Sequence, residues 1–398
     1  MKNIFIYIFI FFMVGSLSAQ VTVSGIIDST VSVTAGAEDS PAFSTGFEEY
    51  ANIRFQSRLR DNMGTVYGAV NLIAASGDYA FRLAGISTRI GTPDDENFIA
   101  AIELERLYFR LNGEHVDLDA GLFRLPFGYS QVWGSSDFLN PRNPLKPDAR
   151  PRGILGAALT FYPIDEIKLL CFYAAPRDPF SNEGKGSLFG FSLERHCEKT
   201  SAQMLYSFET PDADFTYGIH RAGLSVKADV EIGLYMDLLY TYNHETGDSL
   251  DGLSLSVGAD YSFFDGNLIV IAEYLYNGNT SSTAIGYGGD FANNHYLYTG
   301  LTYRFNDFSN ISLALISGLD DISFTPIVSF NHELFQGATL TIIAQVPLDR
   351  DLFNGDGNRG ELGPIRPDTL QPRNPETGEL LGRYGSYFSL SAKIRLRF

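Results

Sequence analysis

The 398-residue chain has two cysteines, one tryptophan and no excess of base. So few cysteines exclude a disulfide-dense secreted scaffold. Cys171 falls mid-strand in the pattern described below and Cys197 at the end of the next strand. That spacing is out of ladder register for a bridge, so both are expected to be free. A formal charge of -18 excludes double-stranded nucleic acid as a partner, because phosphate neutralisation needs a basic surface. Past the first twenty residues there is no run of 18 apolar residues, and mean hydropathy is only -0.04, which excludes a bundle of membrane-spanning helices. Catalytic signatures are missing as well. His115, His196, His220, His244, His295 and His332 are scattered, with no His-Glu-x-x-His, no Gly-x-Ser-x-Gly and no phosphate loop. No enzymatic activity is expected.

At the N-terminus, Lys2, the apolar run Ile4 to Val14 and the short stretch Gly15 to Ala19 have the three-part form of a secretory leader. Cleavage is expected after Ala19, or after Ser18 because Leu17 is large for its position. This gives a signal peptide over 1–19 and an exported product over 20–398, one unit more negative through the loss of Lys2.

Aromatic residues make up 14% of the chain, and 39 glycines accompany them, a composition suited to a sheet with aromatic girdles. The pattern is more specific. Leu253, Leu255, Val257, Ala259, Tyr261 and Phe263 alternate with Ser254, Ser256, Gly258, Asp260 and Ser262, the period of a strand with one greasy face and one wet face. After the turn signal Asp265-Gly266, Leu268, Val270, Ala272, Tyr274 and Tyr276 resume the apolar face opposite Asn267, Glu273 and Asn277. Val230 to Tyr242 behaves alike. Such segments run to about ten residues, the length of a tilted strand crossing a bilayer.

Eighteen segments follow, from 20–35 and 46–60 through 336–347 and 383–398. Very short turns (61–64, 112–113, 163–166, 228–230, 265–266 and 306–310) alternate with long polar loops. The expected fold is all-β: a transmembrane antiparallel β-barrel of about 16 to 18 strands with short periplasmic turns and long extracellular loops. Ser76 to Asn97 reads as an extracellular loop, with an extra strand or short helix over Tyr79 to Ile90 as the alternative, and phase slips near Glu105-Arg106 and His220-Arg221 suggest bulges. Tyr384, Phe388, Leu390, Ala392, Ile394, Leu396 and the terminal Phe398 form one apolar face. That ending resembles the signal read by the outer-membrane barrel assembly machinery.

A barrel of this size is not filled by its own side chains, so the expected function is a passive channel for small hydrophilic solutes, anions among them. On the last strand and the first two, Arg54, Arg58, Arg60, Lys393, Arg395 and Arg397 should form one basic wall near the periplasmic mouth. Glu231, Asp237, Asp260 and Glu273 should form an acidic wall half a turn away, giving a transverse field. Loop 124–152 carries Arg124, Arg142, Lys146, Arg150 and Arg152 against Asp137 and Asp148, and is stiffened by Pro126, Pro141, Pro144, Pro147 and Pro151. It is expected either to enter the lumen as a constriction or to lie outside against lipopolysaccharide phosphates. Trp133 within it suits packing or a girdle. The extracellular loop 349–382 includes Asp351, Asn354, Asp356, Asn358 and Glu361, a weak calcium candidate that misses the EF-hand register. No other metal or cofactor is expected.

Gly121-Leu122-Phe123-Arg124-Leu125-Pro126-Phe127-Gly128 resembles the Gly-x-Phe-Lys-x-Pro-Phe-Gly element of the phosphate-selective porin O and P family. The resemblance covers eight residues. It implies a Gram-negative outer-membrane porin, often a homotrimer, with anion preference. The lysine-rich loop behind phosphate selectivity has no counterpart here. A second reading is a surface adhesin or receptor barrel acting through loops 124–152 and 349–382, and a third is an outer-membrane hydrolase, which the missing catalytic pattern disfavours.

Overall fold

The computed structural model describes residues 21–36, 43–58, 63–77, 89–90, 98–140, 144, 153–176, 186–211, 217–243, 252–278, 289–291, 293–320, 322–348, 365–367 and 386–398. Among them, eighteen antiparallel strands close into one barrel. The expected leader, residues 1–19, lies outside the described residues.

In chain order the first nine are β1 (Val21–Gly36), β2 (Phe43–Arg58), β3 (Gly64–Gly77), β4 (Phe98–Asn112), β5 (Val116–Phe123), β6 (Ile154–Ile164), β7 (Ile167–Ala174), β8 (Leu188–His196) and β9 (Thr200–Glu209). The other nine are β10 (Ile219–Asp229), β11 (Gly233–Asn243), β12 (Leu253–Phe263), β13 (Leu268–Asn277), β14 (His295–Asn306), β15 (Ser309–Gly318), β16 (Ser323–Phe335), β17 (Ala338–Gln345) and β18 (Ser386–Arg397). Each pairs with its neighbours in sequence, and β18 pairs with β1 from Ile26↔Arg397 to Gly36↔Ser386, leaving no edge. Phe398 completes the seam by exchanging two backbone hydrogen bonds with Gly25, at 2.9 and 3.1 Å.

Period two decides which side chain faces where. Val23, Ile27 and Val31 on β1, Phe189, Phe191 and Leu193 on β8, and Leu390, Ile394 and Leu396 on β18 are exposed on the outside. Their neighbours of opposite parity, including Asp28, Ser192, Glu194, Ser256 and Asn277, are buried or half-buried on the inside. An exposed apolar belt around a polar interior is the reverse of a water-soluble protein and matches lipid outside, water inside.

Several expectations are corrected. A bulge does occur opposite Ala69/Val70, where Glu105 is the extra residue of β4. None occurs at His220-Arg221, because β10 pairs without a shift on both sides. His220 broke the pattern for another reason: it faces outward in an aromatic belt, its Nδ1 2.8 Å from the Tyr206 hydroxyl and its ring 4.9 Å from Phe208. The turn expected at Ala228 to Val230 is made by residues 230–232, so Glu231 sits in a periplasmic turn and not on the lumen wall. Within the expected loop Ser76 to Asn97, β3 runs on to Gly77, and Arg89–Ile90 pair with Ala101 and Ala100 of β4. The two cysteines are free, as expected: Cys171 faces outward on β7 and Cys197 lies in the turn after β8.

Candidate functional site: the lumen and its inserted segment

β5 stops after eight residues, and the chain then leaves the wall and enters the barrel. Two glycines shape this departure. Gly121 has φ +125°, with its α-carbon against the backbone of Leu107 and Tyr108, and Gly128 has φ +82°, where a Cβ would overlap the Asp237 carboxylate. Both conformations favour glycine. Between them Phe127 is buried, its ring centroid 5.3 Å from that of the inward-facing Phe172 on the wall and 5.9 Å from that of Phe138, further along the inserted segment. Phe123, Ala158, Leu170, Leu188, Leu205 and Leu239 complete this apolar patch inside the cylinder.

Beyond Gly128 the segment is held by polar contacts. Six successive backbone N–H groups donate to side chains of the wall: Gly128 to Gln203 Oε1 at 2.9 Å, Tyr129 to Asp237 Oδ1 at 2.8 Å and Ser130 to Asp237 Oδ2 at 2.9 Å. Gln131 and Val132 follow, donating to Glu273 Oε2 at 3.1 and 2.9 Å, and Trp133 donates to Glu273 Oε1 at 2.9 Å. The Ser130 hydroxyl donates to the same Glu273 oxygen at 2.9 Å and also touches the Ser256 hydroxyl. Two carboxylates thus accept five amides, the arrangement that lets a buried negative charge persist without a cation beside it.

Side chains extend the attachment. Tyr129 donates to Glu194 Oε1 at 2.8 Å, and Lys168 donates to the other Glu194 oxygen at 3.1 Å. Burial, followed by the hydrogen bond to Glu194, pushes the Tyr129 phenol above its usual range, so it stays a donor at neutral pH. Gln131 donates to Asp260 at 2.6 Å. Trp133 is fully buried, with Nε1 donating to the Glu273 carbonyl at 3.1 Å and its ring 5.5 Å from Tyr296. Packing, not a girdle, is its role.

The sequence-derived site residues divide accordingly. Asp237 and Glu273 face inward, but both are 0% exposed and engaged by the inserted segment, so they do not present the expected acidic wall to open water. Asp260 faces inward and is bound by Gln131. On the opposite side Arg54, Lys393 and Arg395 are half-buried, and Arg58 and Arg397 are exposed. Arg395 makes a two-pronged pair with Asp28 across the seam, both bonds 2.7 Å. Arg54 Nε donates to Asn52 at 2.6 Å. Arg124 stays at the root of the segment, 3.2 Å from Glu105. Arg60, Arg142, Lys146, Arg150, Arg152 and the calcium candidates Asp351, Asn354, Asp356, Asn358 and Glu361 lie outside the described residues. Among the described residues no group of acids, histidines or cysteines is arranged to hold a metal.

Sequence reasoning missed Gln203, Glu194 and Ser256, and misread what Asp237 and Glu273 do. A signal was available on β7. Leu169-Leu170-Cys171-Phe172-Tyr173-Ala174 is apolar on both faces, which a strand lining open water would not be, so something had to cover its inner face.

No family model matches the sequence, and no curated protein matches it. Solved structures do resemble the fold. Acinetobacter baumannii OccAB4 is 10% identical with a TM-score of 0.54, over 96% of this chain and 99% of that one. Pseudomonas aeruginosa OccK5 (OpdH) is 12% identical with a TM-score of 0.55, over 95% and 98%. The outer membrane protein opdK from the same species is 10% identical with a TM-score of 0.54, over 95% and 98%. The chain has the fold of these barrels at essentially full length. The phosphate-selective assignment drawn from Gly121 to Gly128 finds no support in the comparisons, since no family model matches and the likeness to these structures is one of fold. What those eight residues encode here is the turn of the chain off the wall and into the cylinder.

Proposed function

We propose that this chain is an outer-membrane diffusion channel for small hydrophilic solutes, with a preference for anions. The observation that carries the reading is a closed cylinder, greasy outside and wet inside, narrowed by an internal segment that occupies one wall. The segment covers the acids of β11 and β13, while Arg58 of β2 and Arg397 of β18 are exposed across from them. The imbalance favours anions in the remaining passage. Arg142, Lys146, Arg150 and Arg152 follow in the same stretch of the sequence, and the reading assigns their charges to the selectivity of the channel.

Purified protein added to planar bilayers should give stable conductance steps. A salt gradient should give a reversal potential on the anion-selective side, moving toward zero in Lys393→Gln/Arg397→Gln and in the variant that neutralises all four loop cations. Absence of steps would leave the adhesin or receptor reading in its place. The small-solute passage, the lipopolysaccharide surroundings, delivery by the barrel assembly machinery and a homotrimer belong to the same reading; crosslinking in native membranes tests the last.

A further inference from the structure

Asp237 and Glu273 lie on alternate strands, β11 and β13, with Ser256 of β12 between them. Both are fully buried, and each carboxylate oxygen accepts at least one backbone amide from residues 129–133. Glu273 also takes the Ser130 hydroxyl. A carboxylate is suited to this because both of its oxygens only accept. A carboxamide of the same shape would turn an NH2 group toward at least one of the amides whichever way it flipped. The rest of the inserted segment is held by apolar packing around Phe127, which allows sliding, and by single hydrogen bonds such as Tyr129 to Glu194 and Gln131 to Asp260, whereas the five amide bonds fix consecutive backbone groups in distance and direction.

We infer that Asp237 and Glu273 are positioning residues that set the aperture of the channel, by gripping consecutive amides of the inserted segment and holding it against the β9–β13 side of the wall. They act through the segment and need not touch the solute. This rests on the channel reading above, and the experiment separates the two. Wild-type protein without conductance steps would remove the channel itself. A conducting wild type leaves the aperture to be tested alone.

Glu273→Gln and Asp237→Asn are each expected to assemble as heat-modifiable barrels. Their conductance should rise severalfold, with greater open-channel noise, and they should admit larger poly(ethylene glycol) probes than wild type. Gly128→Ala approaches the same contact from the segment side and should shift all three readouts the same way, so the test survives if one wall variant fails to assemble. A cysteine pair, Ser130→Cys/Ser256→Cys, placed in the Glu273→Gln background should return the conductance toward wild type when oxidised and release it when reduced. A residue that merely stabilised the barrel would not respond to that tether. Assembled variants with wild-type conductance, noise and size cut-off would overturn the inference.

Discussion

At the residue scale, most of the decisive positions are glycines, acids and one phenylalanine rather than the arginines that draw the eye in the sequence. Phe127 is 4% exposed, seated on an apolar patch of the inner wall, and its ring is the centre of the apolar half of the attachment. Truncating such a ring costs about 3–5 kcal/mol in a tightly packed core, with the lower end expected here because the segment can settle into the space. Phe127→Ala should therefore lower the free energy of local release, not that of the whole barrel. Limited proteolysis of the protein in liposomes tests this. Cleavage within 124–140 should speed up in the variant while the thermal midpoint of the barrel moves little.

The strands themselves were legible because lipid on one side and water on the other enforce period two over about ten residues each. All eighteen segments correspond to strands, with ends shifted by a few residues. Legibility failed where a side chain broke the period for a local reason, as His220 does by joining the outer aromatic belt. It failed again where the inner environment is not water, as on β7 under Phe127. The closing seam carries its own prediction. Asp28 is 7% exposed and satisfied by the guanidinium of Arg395. Removing the partner of a buried charge costs about 3–5 kcal/mol in dry interiors. Lumen water reaches Arg395, so on the order of 2 kcal/mol is expected for Arg395→Ala. Denaturant unfolding in detergent should show that loss, and Asp28→Asn/Arg395→Gln should recover much of it through a neutral pair.

For the whole molecule, the sequence displayed its class and concealed its interior. Closure, strand number and the outward belt follow from periodicity that any window of the chain reveals. The destination of residues 124–140 depends instead on acceptors 65 to 143 positions away. Asp237 and Glu273 look like ordinary wet-face acids until the segment is seen on them. The fold predicts that the protein partitions into detergent micelles, shows a β-rich circular dichroism spectrum and migrates faster on unheated than on heated gels. A freely soluble or mainly helical product would contradict the barrel.

The long span between the inserted segment and its acceptors also orders the birth of the molecule. β5 and the segment after it leave the ribosome well before β9, β11 and β13, so for part of its biogenesis the segment has no seat. Sealing of the cylinder and docking of its inner strap must therefore be mutually dependent, and a nascent barrel stalled before β13 would be leaky and easily degraded.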